Sequence, residues 1–555
     1  MTTAAPEPMK WWGWGEPSKT YPLAHRPGFW PFLVSKIGNP AGGPAPRADL
    51  DQIRIPPPRI PPRALEALAA AVGAEHLSLS HDVRIAHACG RGYQDLVRLR
   101  RGEVPRPPDV VVFPSSEEAV ARLLRIAGSE GLAVIPFGGG TSVVGGVEPS
   151  DGDRPVLCVD LQRMNRLVSA DPAGLVATAE AGILGPALEA SLGAHGLTLG
   201  HFPQSFEFST LGGWIATRSA GHASTGYGKI EAMVIALRVV TPRGIIATRV
   251  VPASASGPDL NALFAGSEGT LGIISQATLR VRLLPAKRDY RAWLFRRFED
   301  GLSAVRAMLQ EGPAPTTVRL SDSHETEAFM AMRERRPGWP SRAQEWAGMR
   351  VIRARGFASG RMCLAIVGVE GSGVTTSQAW RGLRRVLGRC GAFPLGSGPG
   401  RAWYRERFEL PYLRDALLDA GIMVDTLETA APWDRLLPLH ARVAGALRDT
   451  LTSSGTPPLV LCHLSHAYPT GASLYFTFLA RQAQGREMEQ WQAAKRAATD
   501  AIMTGGGTLS HHHGIGTVHQ AWMHEEYGED GLQTVRAIKT ALDPDGIMNP
   551  GKLVP

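Results

Sequence analysis

Apolar positions along this chain follow two periods, and the two alternate from residue 109 onward. Asp109-Val-Val-Val-Phe-Pro114 is a short apolar run closed by proline, which predicts a buried strand. Ala119, Val120, Leu123, Leu124, Ile126 and Ala127 form a stripe at helical spacing over 117–128. Ser115 with Glu118 supplies a capping box for that helix. Leu132-Ala-Val-Ile135 is a second apolar run. Strand, helix and strand of these lengths predict a βαβ unit with parallel strands. Further strands are expected over 156–161, 175–180, 234–241 and 272–281, and a helix over 186–195.

Outside this block the pattern changes. Residues 1–64 are rich in Trp, Pro and Gly, and Trp11, Trp12 and Trp14 are expected to pack an N-terminal arm onto the body. Ile55-Pro-Pro-Pro-Arg-Ile-Pro-Pro-Arg63 predicts an extended connector, and a short helix follows over 64–72. Past about residue 285, Arg-rich and amphipathic stretches alternate with strand-like runs at 362–369 and 473–479, which predicts a second domain. The stretch 333–355, dense in Arg with Trp339 and Trp346, is expected to be a solvated surface loop rather than a membrane-touching segment.

Composition narrows the class. A chain of 555 residues exceeds one core and implies several domains. Its net charge is +8, but the basic residues are spread out. That disfavours nucleic acid and leaves room for anionic small molecules or a membrane surface. Five scattered cysteines without a CxxC pair suggest reduced thiols. No apolar run reaches bilayer length, and the first residues lack a signal-peptide pattern. A cytoplasmic protein, at most peripheral at a membrane, is expected.

Candidate chemistry begins in four loops. Pro136, Phe137, Gly138, Gly139, Gly140, Thr141 and Ser142 follow a predicted strand. Their glycines can approach a ligand closely and aim N–H groups at an anion. Taken alone, such a run is equally a tight turn. Gln204, Ser205, Phe206, Glu207, Phe208, Ser209 and Thr210 form a second loop, and Thr217, Arg218, Ser219 and Ala220 a third. Glu268, Gly269, Thr270, Leu271 and Gly272 lie in the fourth, which spans 266–272, and Ile273 and Ile274 at the start of the following strand complete the candidates. Four such loops in one block are better explained by one extended ligand than by four turns.

With these residues in view the chain resembles the vanillyl-alcohol-oxidase, or PCMH-type, FAD-binding family. The loop at 136–146 matches its pyrophosphate loop. Glu268-Gly-Thr-Leu-Gly272 and the closing Leu542-Asp-Pro-Asp-Gly-Ile-Met-Asn-Pro-Gly-Lys552 match two further signatures. Within that fold it is most similar to the alkyldihydroxyacetonephosphate synthase family. The motifs are Phe206-Glu-Phe-Ser-Thr210, Tyr412-Leu-Arg-Asp415, Leu427-Glu-Thr-Ala-Ala-Pro-Trp433, Tyr475-Phe and Ser510-His-His-His-Gly514. The resemblance implies an α+β architecture: a split FAD-binding domain with an inserted α+β cap over the flavin. Residues 1–105 would be the arm, connector and helical region, 106–284 the FAD-binding domain, 285–503 the cap, and 504–555 a segment returning to the active site.

The resemblance also implies a reaction. The acyl chain of an acyl-dihydroxyacetone phosphate is exchanged for a fatty alcohol without net redox change, with reduced flavin N5 as nucleophile. Tyr475 matches the catalytic tyrosine, and Arg414 the arginine on the substrate phosphate. Arg319 matches an arginine needed for activity, although a structural ion pair is an equal reading. Thr426 stands where the family has Ser. His511, His512 and His513 are expected beside Tyr475, supplying hydrogen bonds or positive charge, with His511 and His513 on one side of an extended chain. A zinc site or an exposed polar turn is the other reading of the triplet. FAD is expected to be non-covalent, because the glycine loop carries no His. Lipid substrates and a homodimer are the implied partners. The rival is a metal-assisted FAD-dependent 2-hydroxy-acid or alcohol dehydrogenase or oxidase. Against it, Tyr475 stands where a metal-binding His would be and the later motif lacks its acidic member, so no metal is expected.

Overall fold

The structure, a computed structural model, describes residues 9–40, 47–150, 152–334 and 339–554. Val110–Val112 and Ala133–Phe137 flank Val156–Asp160 and run parallel to it, with Glu117–Glu130 as the crossover helix. Ser116, not Ser115, caps that helix: its hydroxyl accepts the Ala119 N–H. Ala119, Val120, Leu123, Leu124 and Ala127 are buried as the stripe requires, and Gly131 ends the helix in the left-handed region.

Beside this sheet lies a five-stranded antiparallel one in the order Leu167–Asp171, Val176–Glu180, Ile273–Arg280, Val234–Thr241, Gly244–Ala247. Its two outer strands escape the hydrophobic pattern because they are short and mostly exposed edges.

The other large unit is a seven-stranded antiparallel sheet. Its order is Phe393–Gly396, Lys287–Phe295, Cys363–Gly371, Thr317–Ser321, Leu459–Tyr468, Gly471–Arg481, Ile422–Pro432. Alternation sorts its two faces. Leu474, Phe476 and Phe478 join Leu436, Leu447, Ala494 and Ala498 of the helices Trp433–Ser453 and Glu487–Thr504 in one core. Tyr475 and Thr477, one residue out of phase, point the other way and line a cavity.

Residues outside the sheets lock the parts together. Trp14 is buried edge-on to Phe208, and its backbone N–H donates to Asp415. Arg47 and Arg100 cover the face of Trp12. The arm therefore packs onto the body as the tryptophans suggest. Near the other terminus, Met548 pairs in parallel with Val134, and the Lys539 ammonium donates to the carbonyls of Thr270 and Met548.

The expected surface loop at 333–355 is instead largely the helix Trp339–Ala354. Arg, Gln, Glu, Ala and Met are good helix formers, and Pro340 falls in the first turn, where a missing N–H costs nothing. Residues 335–338 lie outside the described residues. Among those described, no helix is long and apolar enough to cross a membrane, and the five cysteines are unpaired.

Candidate active site

A cavity of about 440 Å³ lies between the loops of the first two sheets and the open face of the seven-stranded one. Pro136 to Ser142, Gln204, Ser205, Ser209, Thr210, Thr217, Ser219, Ala220, Glu268, Gly269, Gly272, Ile273 and Ile274 line one end. The N–H groups of Gly138, Gly139, Gly140 and Thr141 donate to no protein acceptor among the described residues. A row of free backbone donors beside hydroxyls fits a pyrophosphate. The glycines have a second use. A Cβ on Gly139 would lie 1.6 Å from the Phe208 carbonyl oxygen, and one on Gly138 2.3 Å from Thr210 Oγ1. The first two loops touch backbone to backbone.

Six expected cofactor residues do not line the cavity. Phe206 stacks between Trp214 and Phe408. Glu207 faces Lys19 and Tyr412, and Phe208 meets Trp14. Arg218, at positive φ, turns away to the carbonyls of Ala262 and Ala265. Thr270 donates to the Ser267 carbonyl and Leu271 sits in the core. Each serves to shape its loop. Glu268 does line the cavity, and its buried carboxylate accepts the N–H groups of Ile515 and Gly516, tying the C-terminal segment to the glycine loops. Asn549 reinforces this tie, donating to the carbonyls of Gly146 and Glu268.

The opposite wall is the sheet. Register places Thr426 across from Thr477, and Glu428 across from Tyr475, which in turn faces His463. All of these therefore share one face. Burial pushes the Tyr475 phenol up to about 12, against a lowering by the neighbouring Thr426 hydroxyl. His463 stacks on Tyr475 and belongs to a buried cluster. Arg319 Nη1 reaches His463 Nε2 at 3.1 Å, Arg319 Nη2 donates to Glu325 Oε1 at 2.9 Å, and His463 Nδ1 meets the same oxygen at 2.9 Å. Burial opposes the charge on Glu325, but Arg319 and then His463 outweigh it and hold the carboxyl at about 2. Arg319 thus makes an ion pair and also lines the cavity.

Arg414 lies on the helix Leu410–Asp419, whose Leu410, Leu413 and Leu417 follow the same wall. Its Nε is buried without a hydrogen-bond partner, and burial lowers its pKa. Beyond it the lining turns apolar, with Phe29, Leu33, Phe329, Val424, Leu461 and Leu479.

The histidine triplet is not extended. Residues 511–513 bend around Glu428, which accepts the three N–H groups of His511, His512 and His513 and the Ser510 hydroxyl within 3.0 Å. Strand alternation therefore does not apply. His512 and His513 line the cavity, with ring centres 6.0 and 5.5 Å from that of Tyr475. His511 turns to Tyr468, whose hydroxyl is 2.6 Å from its Nε2. Burial lowers the pKa of all three, so they are neutral near pH 7 and supply no positive charge. Glu428, His511 and His512 offer ligand atoms within 4.8 Å of one another. The carboxylate is already saturated by donors, however, so the group fits a hydrogen-bonded turn rather than a metal site.

Glu325, Glu428 and His463 were not foreseen. All three depend on strand pairing or on a distant segment, which no local pattern signals.

These features define a class: a flavoprotein with a PCMH-type split FAD-binding fold and an inserted α+β cap, for which FAD is the cofactor. Residues 108–248 match the FAD binding domain family, and 284–553 the C-terminal domain of FAD linked oxidases. The substrate-bound structure of p-cresol methylhydroxylase shares the fold, with a TM-score of 0.67 at 16% identity over 89% of this chain and 98% of that one. Alkyldihydroxyacetonephosphate synthase of Dictyostelium discoideum is 36% identical over 92% of this chain and 84% of its own. The synthase of Trypanosoma brucei brucei is 34% identical over 100% and 94%. A solved alkyldihydroxyacetonephosphate synthase superposes with a TM-score of 0.84 at 33% identity, covering 98% of this chain and 99% of that one. The chain belongs to the alkyldihydroxyacetonephosphate synthase family.

Proposed function

We propose that this protein exchanges the acyl chain of an acyl-dihydroxyacetone phosphate for a fatty alcohol, as an FAD-dependent alkylglycerone-phosphate synthase. The observation that carries this reading is the joining of three environments in one cavity. Free backbone donors suit a pyrophosphate, a cationic Arg414 with an unpartnered Nε suits the substrate phosphate, and an apolar wall suits long chains.

FAD, when bound, supplies the nucleophile. The protein's own groups bind, orient and move protons. The Arg414 fork takes the phosphate and fixes the reacting carbon near Tyr475. With its pKa at about 12, Tyr475 keeps its proton at neutral pH and donates a hydrogen bond to the departing carboxylate oxygens. Thr426 orients the phenol, and Arg319, held by Glu325, adds positive charge behind it. The fatty acid leaves as an anion, stable without a proton. The alcohol must lose its proton, and the neutral imidazoles of His512 and His513, which line the cavity beside Tyr475, are the acceptors. FAD held without a covalent bond, a homodimer and peripheral membrane contact, from which water-insoluble chains would enter, belong to the same proposal.

The test is exchange between palmitoyl-dihydroxyacetone phosphate and labelled hexadecanol. Labelled ether product with one palmitate released per turnover, and no electron acceptor consumed, is expected. Reduction of an acceptor by hydroxy acids without any exchange would assign the protein to the redox branch of the fold.

A further inference from the structure

The exchange leaves a proton behind. An alcohol loses its hydrogen, the ester oxygen departs on a carboxylate, and one proton per turnover must leave a site walled by buried groups. We propose that it leaves through a relay formed by His512, His511 and Tyr468, which ends at the tip of the hairpin joining Leu459–Tyr468 to Gly471–Arg481.

The links are consecutive. His512 lines the cavity, and its Nε2 has no protein hydrogen-bond partner among the described residues. Its Nδ1 lies 3.0 Å from His511 Nδ1, and His511 Nε2 lies 2.6 Å from the Tyr468 hydroxyl. Tyr468 is partly exposed and adjoins the exposed Pro469 and Thr470. Burial and, after it, the Glu231 carboxylate raise its pKa, and the Glu231 side chain is one-third exposed (33%). The route therefore runs from the reacting end of the cavity to the surface on the side away from the apolar wall.

Two features hold the rings in line. Glu428 fixes the backbone of both histidines through their N–H groups, and Lys229 donates to the His511 carbonyl at 2.7 Å. His466, forced to positive φ by a bulge in its strand, stacks on His511 with ring planes 15° apart and is itself tethered to Ser224. A bulge re-aims one side chain at the expense of regular pairing; here it supplies the plate against which His511 is oriented.

Each link offers one lone pair and one proton, so the transfer balances. Before reaction His512 Nε2 is unprotonated, His512 Nδ1–H donates to His511 Nδ1, His511 Nε2–H donates to the Tyr468 oxygen, and Tyr468 O–H points outward. His512 Nε2 takes the alcohol proton. Each N–H then passes its proton one link along, and the Tyr468 hydroxyl releases one to water or to Glu231. The chain is left with its polarity reversed, both histidines neutral throughout, and ring and hydroxyl reorientation resets it. No oxidant or metal is required.

This inference rests on the exchange reading, and the two fail differently. The experiment measures wild type, Tyr468→Phe and His511→Gln side by side with labelled hexadecanol, in H₂O and D₂O, with and without imidazole in the buffer. Expected are full flavin content and unchanged substrate KM in both variants, kcat lower by about tenfold or more, a larger solvent deuterium isotope effect, and partial recovery with imidazole. If wild type gives no exchange, the functional reading falls first. If wild type exchanges and Tyr468→Phe keeps its kcat, or loses kcat without change in isotope effect or rescue, the relay is wrong and Tyr468 is a packing residue.

Discussion

The imidazole of His463 lies against the phenol of Tyr475, with ring centres 4.9 Å apart and planes 22° from parallel. Its tautomer follows from its neighbours. Arginine has only donors, so His463 Nε2 must accept from Arg319, and the remaining proton sits on Nδ1 facing Glu325. His463 is thus a neutral plate, clamped at both nitrogens, that fixes the plane of Tyr475.

The clamp predicts a large stability effect from one substitution. Arg319→Met leaves the Glu325 carboxylate buried without its cation, which costs roughly 3–5 kcal/mol. The double variant Arg319→Met/Glu325→Met removes both charges and should recover most of that loss. Urea unfolding of wild type and the two variants reads both values. Equal stabilities for single and double variants would show that the pair is not coupled.

Arg414 predicts the opposite trade. A guanidinium partly withdrawn from water with an unpartnered Nε destabilises the empty protein. Arg414→Met should therefore leave Tm unchanged or raise it, while KM for the phosphate substrate rises about tenfold or more, as expected for a lost charge-assisted pair. Thermal melting and steady-state kinetics on one preparation measure both. A lower Tm with unchanged KM would make Arg414 a structural residue.

How far the sequence discloses this site depends on which kind of contact builds each part. The βαβ unit was legible because each of its elements carries its own period, and the glycine loop because small residues cluster in one stretch. The cap face was legible only through Tyr475, Arg319 and Thr426, each named by resemblance. What aligns them is pairing between strands up to about 150 residues apart, as in Ser321 with His463, and no local pattern encodes that register. The choice between the two roles that the sequence leaves open for the histidines, hydrogen bonding or positive charge, escapes it for a related reason. Burial decides it, and burial follows from the close approach of 511–513 to Glu428, which looks in sequence like an ordinary strand carboxylate.

Gly139 predicts loss of cofactor through packing. Alanine there would place a methyl against the Phe208 carbonyl at 1.6 Å, and backbone cannot yield by that much without moving the loop. Gly139→Ala should be purified without yellow colour and melt lower, whereas wild type should release its flavin into the supernatant on acid precipitation. Colour retained in the wild-type pellet would contradict non-covalent binding, and a flavin-replete Gly139→Ala would contradict the loop contact.

Eight histidines that are buried or half-buried predict acid lability. Burial depresses the pKa of His201 and His519 to about 3, and lowers those of His222, His463, His466, His511, His512 and His513. In the unfolded chain each titrates near ~6.5. Between that value and its folded pKa, each binds a proton only when unfolded, so stability rises with pH there and is lost as pH falls. The slope reaches at most about 1.4 kcal/mol per pH unit for each such group. Glu325 and Glu428, depressed in the folded state, add to the loss only below about 4.5, the window in which their unfolded forms take protons. His81, raised by its hydrogen bond to Asp82, runs the other way, and so do the carboxyls of Asp95, Glu189, Glu207, Glu268 and Asp415, which burial raises; these offset part of the histidines' loss. Chemical unfolding should therefore give a stability that falls with pH below about 6.5, with a shallower fall in His519→Gln. Unchanged stability down to pH 5 would mean that these rings are solvated, and with that the neutral, water-poor site on which the proposed chemistry depends would be lost.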